Sequence, residues 1–200
     1  MKVTLIQKTD KPIETIAKIA SICYDSDPKD PMKLVKHLYK NGHYSVFEHI
    51  YFTFKIEGIS RACSHQLVRH RMCSFTQRSQ RYCGESGFEY VTPPTIPNEI
   101  MGTIAGCISA NYDTLVEYYP KEDARYVLPN ACCTDLYLSC NLRELIHICN
   151  ERLCSKAQWE IRELVKKMVE LTDEDLRFML VPKCKSGRII CNNKCNQEGK

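Results

Sequence analysis

Residues 61–82, RACSHQLVRHRMCSFTQRSQRY, hold the chain's densest set of groups able to do chemistry. Arg61, Arg69, Arg71, Arg78 and Arg81 lie there with His65 and His70, and no Asp or Glu occurs between Glu57 and Glu85. The segment therefore carries +5 where the whole chain carries +4, so the positive charge is concentrated here. Arginine presents a planar fork of N–H donors that matches phosphate and carboxylate oxygens in pairs. The segment is suited to holding something anionic.

Spacing sharpens that reading. Arg61, His65 and Arg69 fall at i, i+4 and i+8, one polar ridge if the segment is helical over 60–70, and Gln66 joins Arg69 and His70 near its end. After Arg71 the composition turns to Cys, Ser, Phe, Thr and Gln, which favours an extended chain. In an extended chain, Gln77, Ser79 and Arg81 face one way and Arg78 and Gln80 the other. An amide, a hydroxyl and a guanidinium on one side can grip a polar ring together with its phosphate. Two other readings stand beside this one. A run of arginines is often a solvated face, although such faces interleave Glu and Lys, absent here. A nucleic-acid surface would bring more Lys and aromatics than Phe75 and Tyr82 supply.

The elements that must position these groups read as follows. Asp10-Lys11-Pro12 opens a helix through residue 24, and Asp30-Pro31 opens another that Gly42 ends. Residues 51–56, YFTFKI, read as a strand, and Leu136-Tyr137-Leu138 as another. VTPPTIPNE is a proline-rich connection before a helix over 98–119, in which Ile100, Ile104, Cys107/Ile108 and Leu115 recur at helical spacing. From 142 to 171, Leu142, Leu145/Ile146, Cys149, Leu153, Ala157, Ile161, Leu164/Val165 and Met168 form one long apolar stripe. Helices and strands without regular alternation predict an α+β fold. The length predicts a single domain over 1–182 followed by a Cys/Lys-rich tail over 183–200.

No apolar run reaches the roughly 18 residues of a membrane span, and MKVTLIQKTD lacks a signal peptide's apolar stretch, so the expected compartment is cytoplasmic. In that setting the 13 cysteines are expected as reduced thiols, mostly small core residues. Cys184, Cys191 and Cys195 lie near the polar tail with spacings that match no familiar zinc knuckle, and no metal is expected.

Arg69-His70-Arg71, seven residues, then Ser79 resembles the RHR-x7-S signature of the flavin-dependent thymidylate synthases. The likeness runs through Gln77-Arg78-Ser79-Gln80-Arg81-Tyr82 and upstream to Gly42-His43-Tyr44-Ser45-Val46-Phe47-Glu48-His49, similar to that family's G-H-x-S-x-x-E-H segment. Downstream, residues 122–129, EDARYVLP, resemble its E-x-A-R-x-x-L-P segment. Asn141-Leu142-Arg143, Arg152 and residues 157–161, AQWEI, complete five blocks in family order.

The resemblance implies reductive methylation of deoxyuridine monophosphate (dUMP) to thymidine monophosphate (dTMP). Methylenetetrahydrofolate would give the carbon, and flavin adenine dinucleotide (FAD) reduced by NADPH would give the hydride. It also implies a twisted, mainly antiparallel sheet flanked by helices, and a homotetramer with sites at subunit interfaces. It places dUMP against Gln66, Leu67, Val68 and Arg69, against Gln77, Arg78, Ser79, Gln80 and Arg81, and against Arg125 and Arg152. FAD would meet Ser45, Arg69, His70, Arg71 and Gln77, and then Asn141, Leu142, Arg143 and His147. Arg152, on composition alone a helix-surface residue paired with Glu151 or Glu160, takes the position of the family's activating arginine. His43 takes a catalytic position near flavin and folate, and His49 only anchors the next strand. Gln77 and His147 stand where some members have Glu and Asn. The thiolate-dependent thymidylate synthases use a Pro-Cys motif, and this chain has no Pro-Cys dipeptide. Nor has it a G-x-G-x-x-G turn for a dinucleotide. A non-catalytic nucleotide- or RNA-binding protein and a flavin reductase without methyl transfer remain the competing functions, and the family reading expects neither nucleic acid nor membrane as a partner.

Overall fold

The computed structural model describes residues 1–23 and 28–187. Cys191 and Cys195 of the predicted tail lie outside the described residues.

Strand β1 (Lys2–Lys8) opens the chain. Helix α1 (Pro12–Ser21) follows, with Pro12 in its first turn and Ile13, Ile16, Ala17 and Ala20 buried. Asp30 caps helix α2 (Pro31–Lys40) by accepting from the Lys33 N–H at 2.9 Å. Gly42, at φ 79°, takes the left-handed turn beyond it that a side chain would disfavour. A 3₁₀ turn over Ser45–His49 leads into strand β2 (Tyr51–Ser60), longer than the six residues predicted. Helix α3 (Arg61–Leu67), strand β3 (Ser74–Gln77), helix α4 (Asn98–Tyr118) and the single turn α5 (Lys121–Ala124) come next. Strand β4 (Cys133–Asn141) and helices α6 (Leu142–Arg152) and α7 (Trp159–Glu170) complete the order.

The strands form one four-stranded antiparallel sheet in the order β1-β2-β4-β3, so the predicted α+β class with a mainly antiparallel sheet holds. Alternation builds it: β2 buries Phe52, Phe54 and Ile56, and β4 buries Thr134, Leu136, Leu138 and Cys140.

Several predicted details are corrected. The single stripe of 142–171 is two helices, because the chain turns after Arg152 and restarts where Gln158 accepts from the Glu160 and Ile161 N–H groups at 3.0 Å. Helix α4 matches the predicted bounds to within one residue but not the predicted face. It buries Met101, Ala105 and Tyr112 and leaves Ile100 53% and Ile104 48% exposed. Tyr112 outweighs the isoleucine spacing because its ring is fully buried while its hydroxyl accepts from the Glu85 N–H at 3.1 Å. Strand β1, an edge strand with little burial, lacks the alternation that would have announced it.

The described chain divides into two interleaved compact units. The first comprises Met1–Lys2, Ile56–Arg69 and Phe75–Tyr137, and the second Val3–Lys55, His70–Ser74 and the chain from Leu138 onward. A cluster of Phe88, Ala105 and Cys132 lies in the first, with Tyr90, Ile108 and Leu128 packed against it. Apolar faces of α1, α2, α6 and α7 supply the buried residues of the second.

Candidate active site

In the first unit the arginine segment starts on α3, which Ser60 caps by accepting from the Cys63 N–H at 3.0 Å. The helix ends at Leu67, so the predicted ridge of Arg61, His65 and Arg69 stops short and Arg69 lies beyond it, exposed. Leu67 is a fully buried core side chain, and Val68 is the helix C-cap. Gln66 donates to the Ala62 carbonyl at 3.5 Å.

Gln77 closes β3 with its side chain turned inward, donating to Ser64 Oγ at 3.1 Å and Thr134 Oγ1 at 3.2 Å. Arg61 donates to the same Thr134 hydroxyl at 3.3 Å. Beyond Gln77 the strand ends, which corrects the predicted alternation through residue 81. Ser79 Oγ instead accepts from the Arg81 N–H at 3.2 Å, turning the chain there. Gln80 is buried and reaches Cys132 Sγ at 3.7 Å. Arg81 pairs with Glu122 at 2.8 Å, and Arg125 donates to the Glu122 carbonyl at 3.0 Å. Arg61, His65, Gln80 and Arg125 line a cavity of about 270 Å³ with Tyr126, Leu128, Pro129 and Asn130. Arg61 and His65 were thus missed as candidates, though their spacing on α3 had already marked them.

Arg78 donates to the Gly84 carbonyl at 3.2 Å and lies 3.6 Å from Glu85 Oε1. Glu85 is only 5% exposed. Burial pushes its carboxyl above the ordinary value of 4.5, and the Arg78 and Arg61 guanidinium groups pull back without cancelling that rise. Nothing in its sequence context separates Glu85 from a surface acid.

The second unit holds a larger cavity, about 550 Å³, lined by Tyr44, Glu48, Met72, Asn141, Arg143, Glu144, Ile146 and His147. That volume lies in the range of small-ligand sites. Asn141 caps α6, its side-chain oxygen accepting from the Glu144 N–H at 2.9 Å. Arg143, one residue into the helix, pairs with Glu48. Leu142 is buried and donates its N–H to the Ile50 carbonyl at 2.7 Å, so it is a packing residue. His43, Ser45 and Arg71 are exposed. An amide at the helix cap, a guanidinium in the first turn and an imidazole in the second suit a polyoxygenated cofactor such as FAD.

Beside that turn, His70 is buried, with its Nε2 accepting from Arg152 Nε at 2.9 Å and its Nδ1 3.5 Å from Glu144 Oε1. The His147 ring meets it edge-on at 5.6 Å. Glu144, absent from the predicted site, stands three residues before His147, which puts both on one helix face. His70, Glu144 and His147 have ligand atoms within 4.8 Å of one another, as a metal site would. The Arg152 bond argues otherwise. A metal on Nδ1 would leave Nε2 protonated and facing the Arg152 N–H, donor against donor.

The described cysteines are all free thiols. Burial, with smaller help from Glu85, pushes Cys132 up to about 11. Burial pushes Cys149 higher still, and a hydrogen bond made by the Cys140 thiol to Cys73, together with burial, raises Cys140. None of these three is a ready thiolate.

Comparison with known proteins fixes the family. Residues 4–176 match the Thy1 family model, thymidylate synthase complementing protein. The chain is 40% identical over 191 residues to a flavin-dependent thymidylate synthase of Geobacter sulfurreducens, covering 86% of this chain and 82% of the relative. It is also 40% identical over 190 residues to that of Pyrococcus furiosus, covering 85% and 78%. Thymidylate synthase X from Helicobacter pylori, crystallised with FAD and dUMP, superposes with a TM-score of 0.78 at 23% identity, covering 90% of this chain and 97% of that one. A second structure of the Helicobacter pylori protein with the same two molecules gives a TM-score of 0.77 at 22% identity, covering 90% and 98%. The motifs, the sheet and these matches converge: the chain belongs to the Thy1 family of flavin-dependent thymidylate synthases.

Proposed function

We propose that this chain catalyses the reductive methylation of dUMP to dTMP, with methylenetetrahydrofolate as carbon donor and NADPH as reductant. The methylene carbon becomes a methyl group, so two electrons and a proton must be added. FAD, when bound, supplies the hydride chemistry that no amino-acid side chain can. The observation that carries the reading is Arg152, an arginine on the last turn of α6 held by the buried His70.

Within this reading Arg78, Ser79 and Arg81 take the nucleotide phosphate, with Arg69, Arg125 and the Gln66–Val68 backbone around the base and sugar. Gln77 and Gln80 are braced inward and set the shape of that site through their neighbours. Arg152 stabilises negative charge on the uracil ring, which raises electron density at C5. A guanidinium stays protonated at working pH, so this is oxyanion stabilisation and not general-base work. Asn141, Arg143 and His147 on α6, with Ser45, Arg69, His70 and Arg71, hold the flavin, and His43 stands near flavin and folate. The assembly is a homotetramer with sites at subunit interfaces, working in the cytoplasm. None of the helices among the described residues is long and apolar enough to cross a membrane.

The test is direct. Purified protein should be yellow, NADPH should bleach it, and C5-tritiated dUMP should release tritium only with methylenetetrahydrofolate present. NADPH oxidation without tritium release would leave a flavin reductase. Colourless protein with strongly salt-dependent RNA affinity would leave a nucleic-acid binder.

A further inference from the structure

The residue that sets Arg152 in place stands eight positions earlier on the same helix. Glu144 is 8% exposed, in the first turn of α6, and its backbone is locked by the Asn141 cap. Arg152 closes the helix about 12 Å further along the axis. Helical side chains lean towards the N-terminus, which carries the Arg152 guanidinium back along α6. His70, buried beside the helix, meets both ends: Nδ1 faces Glu144 Oε1 at 3.5 Å and Nε2 accepts from Arg152 Nε at 2.9 Å.

These contacts define the imidazole. A guanidinium N–H can only donate, so Nε2 carries no proton and the ring proton is on Nδ1. A carboxylate only accepts, so Glu144 favours that tautomer. The other ring in contact, His147, meets His70 by its edge and not by a hydrogen bond to either nitrogen. Protonating Nε2, or moving the proton there, sets two donors face to face and breaks the bond to Arg152. The bond uses Nε and so fixes the plane of the two Nη groups.

We infer that Glu144 is a positioning residue: through the tautomer of His70 it orients the Arg152 guanidinium for its charge-stabilising task. The inference rests on the role proposed above for Arg152. It makes Glu144 act on methyl transfer without touching the nucleotide.

Nitrogen-15 spectra of imidazole-labelled holoenzyme, with His70→Gln to assign the signal, report the tautomer directly. His70 should carry its proton on Nδ1 in the parent, lose that preference in Glu144→Ala, and regain it in Glu144→Gln, whose amide oxygen also accepts. Rapid-mixing measurements on the same samples should show methyl transfer slowed by roughly 10- to 100-fold in Glu144→Ala, as for a misplaced catalytic group. Flavin reduction should slow far less, and Glu144→Gln should recover most of the loss. An unchanged tautomer in Glu144→Ala, or equal slowing of both half-reactions, overturns the inference, as does a Gln variant no faster than the Ala variant. A parent with the expected tautomer, lost in Glu144→Ala, but with no turnover of dUMP, supports the link from Glu144 to His70 and overturns the proposed activity instead.

Discussion

The arginines proposed for the nucleotide phosphate, in the first unit, are held differently from Arg152, in the second. In the first, Arg81 lies against Glu122 at 2.8 Å and Arg78 lies 3.6 Å from Glu85, so each guanidinium faces a carboxylate. In the second, the Nε of Arg152 is held by an imidazole. A guanidinium already facing a carboxylate must exchange that partner, or share itself, when a phosphate arrives. One oriented through an uncharged ring is set in direction without a carboxylate drawing on that bond. The first arrangement suits reversible capture of a dianion, and the second suits charge that develops only during reaction.

The largest effect that would break this contrast is at Arg152. Arg152→Lys keeps the charge but loses the planar fork and the Nε bond to His70. Turnover of dUMP should fall about 100- to 1000-fold, the usual cost of an oxyanion donor, with flavin content unchanged. Steady-state tritium release and the bound-flavin spectrum check both halves.

Arg81→Ala comes next. Losing a charge-assisted pair to phosphate costs about 1.5–3 kcal/mol, or about 10- to 150-fold in dUMP affinity, with flavin affected less. Equal calorimetric affinity in parent and variant would remove Arg81 from the phosphate site. Glu122→Gln sharpens the same point with opposite sign. Exposed ion pairs contribute about 0.2–1 kcal/mol, so freeing Arg81 should tighten dUMP by about 1.4- to 5-fold, more at low salt than at high.

The smallest effect is on stability. Glu85 has its carboxyl pushed above 4.5 by burial, so the folded chain binds that proton more tightly than the unfolded chain. Stability from this group is therefore greatest below 4.5 and falls as pH rises through the folded value. Glu85→Gln should raise the melting temperature at neutral pH and flatten the melting profile above 4.5. Parallel profiles for the two proteins would show that Glu85 is well paired as an anion.

Much of this was legible in the chain. Capping and breaking residues, Asp30-Pro31 and Gly42, set α2 where expected, and the order of motif blocks announced the family. The charge of Arg61 to Arg81 could be counted without a structure, but the fold places Arg71 in the second unit and the other four arginines in the first. What escaped depends on contacts distant in sequence. Glu144 and His70 are 74 positions apart, and only the fold shows that they meet. Ile100 and Ile104 kept perfect helical spacing, yet Tyr112 decided which face α4 buries. The break between α6 and α7 was hidden because the apolar spacing runs on through it, and only the cap at Gln158 marks the restart.

The central claim is that Arg152 acts in methyl transfer and not in building the flavin site. Stopped-flow mixing separates the steps: NADPH reduction of bound FAD, followed by reoxidation with dUMP and methylenetetrahydrofolate. In Arg152→Lys the first rate should stay close to the parent's while the second falls by about two to three orders of magnitude. Equal slowing of both would contradict the claim and return Arg152 to a structural role at the end of α6.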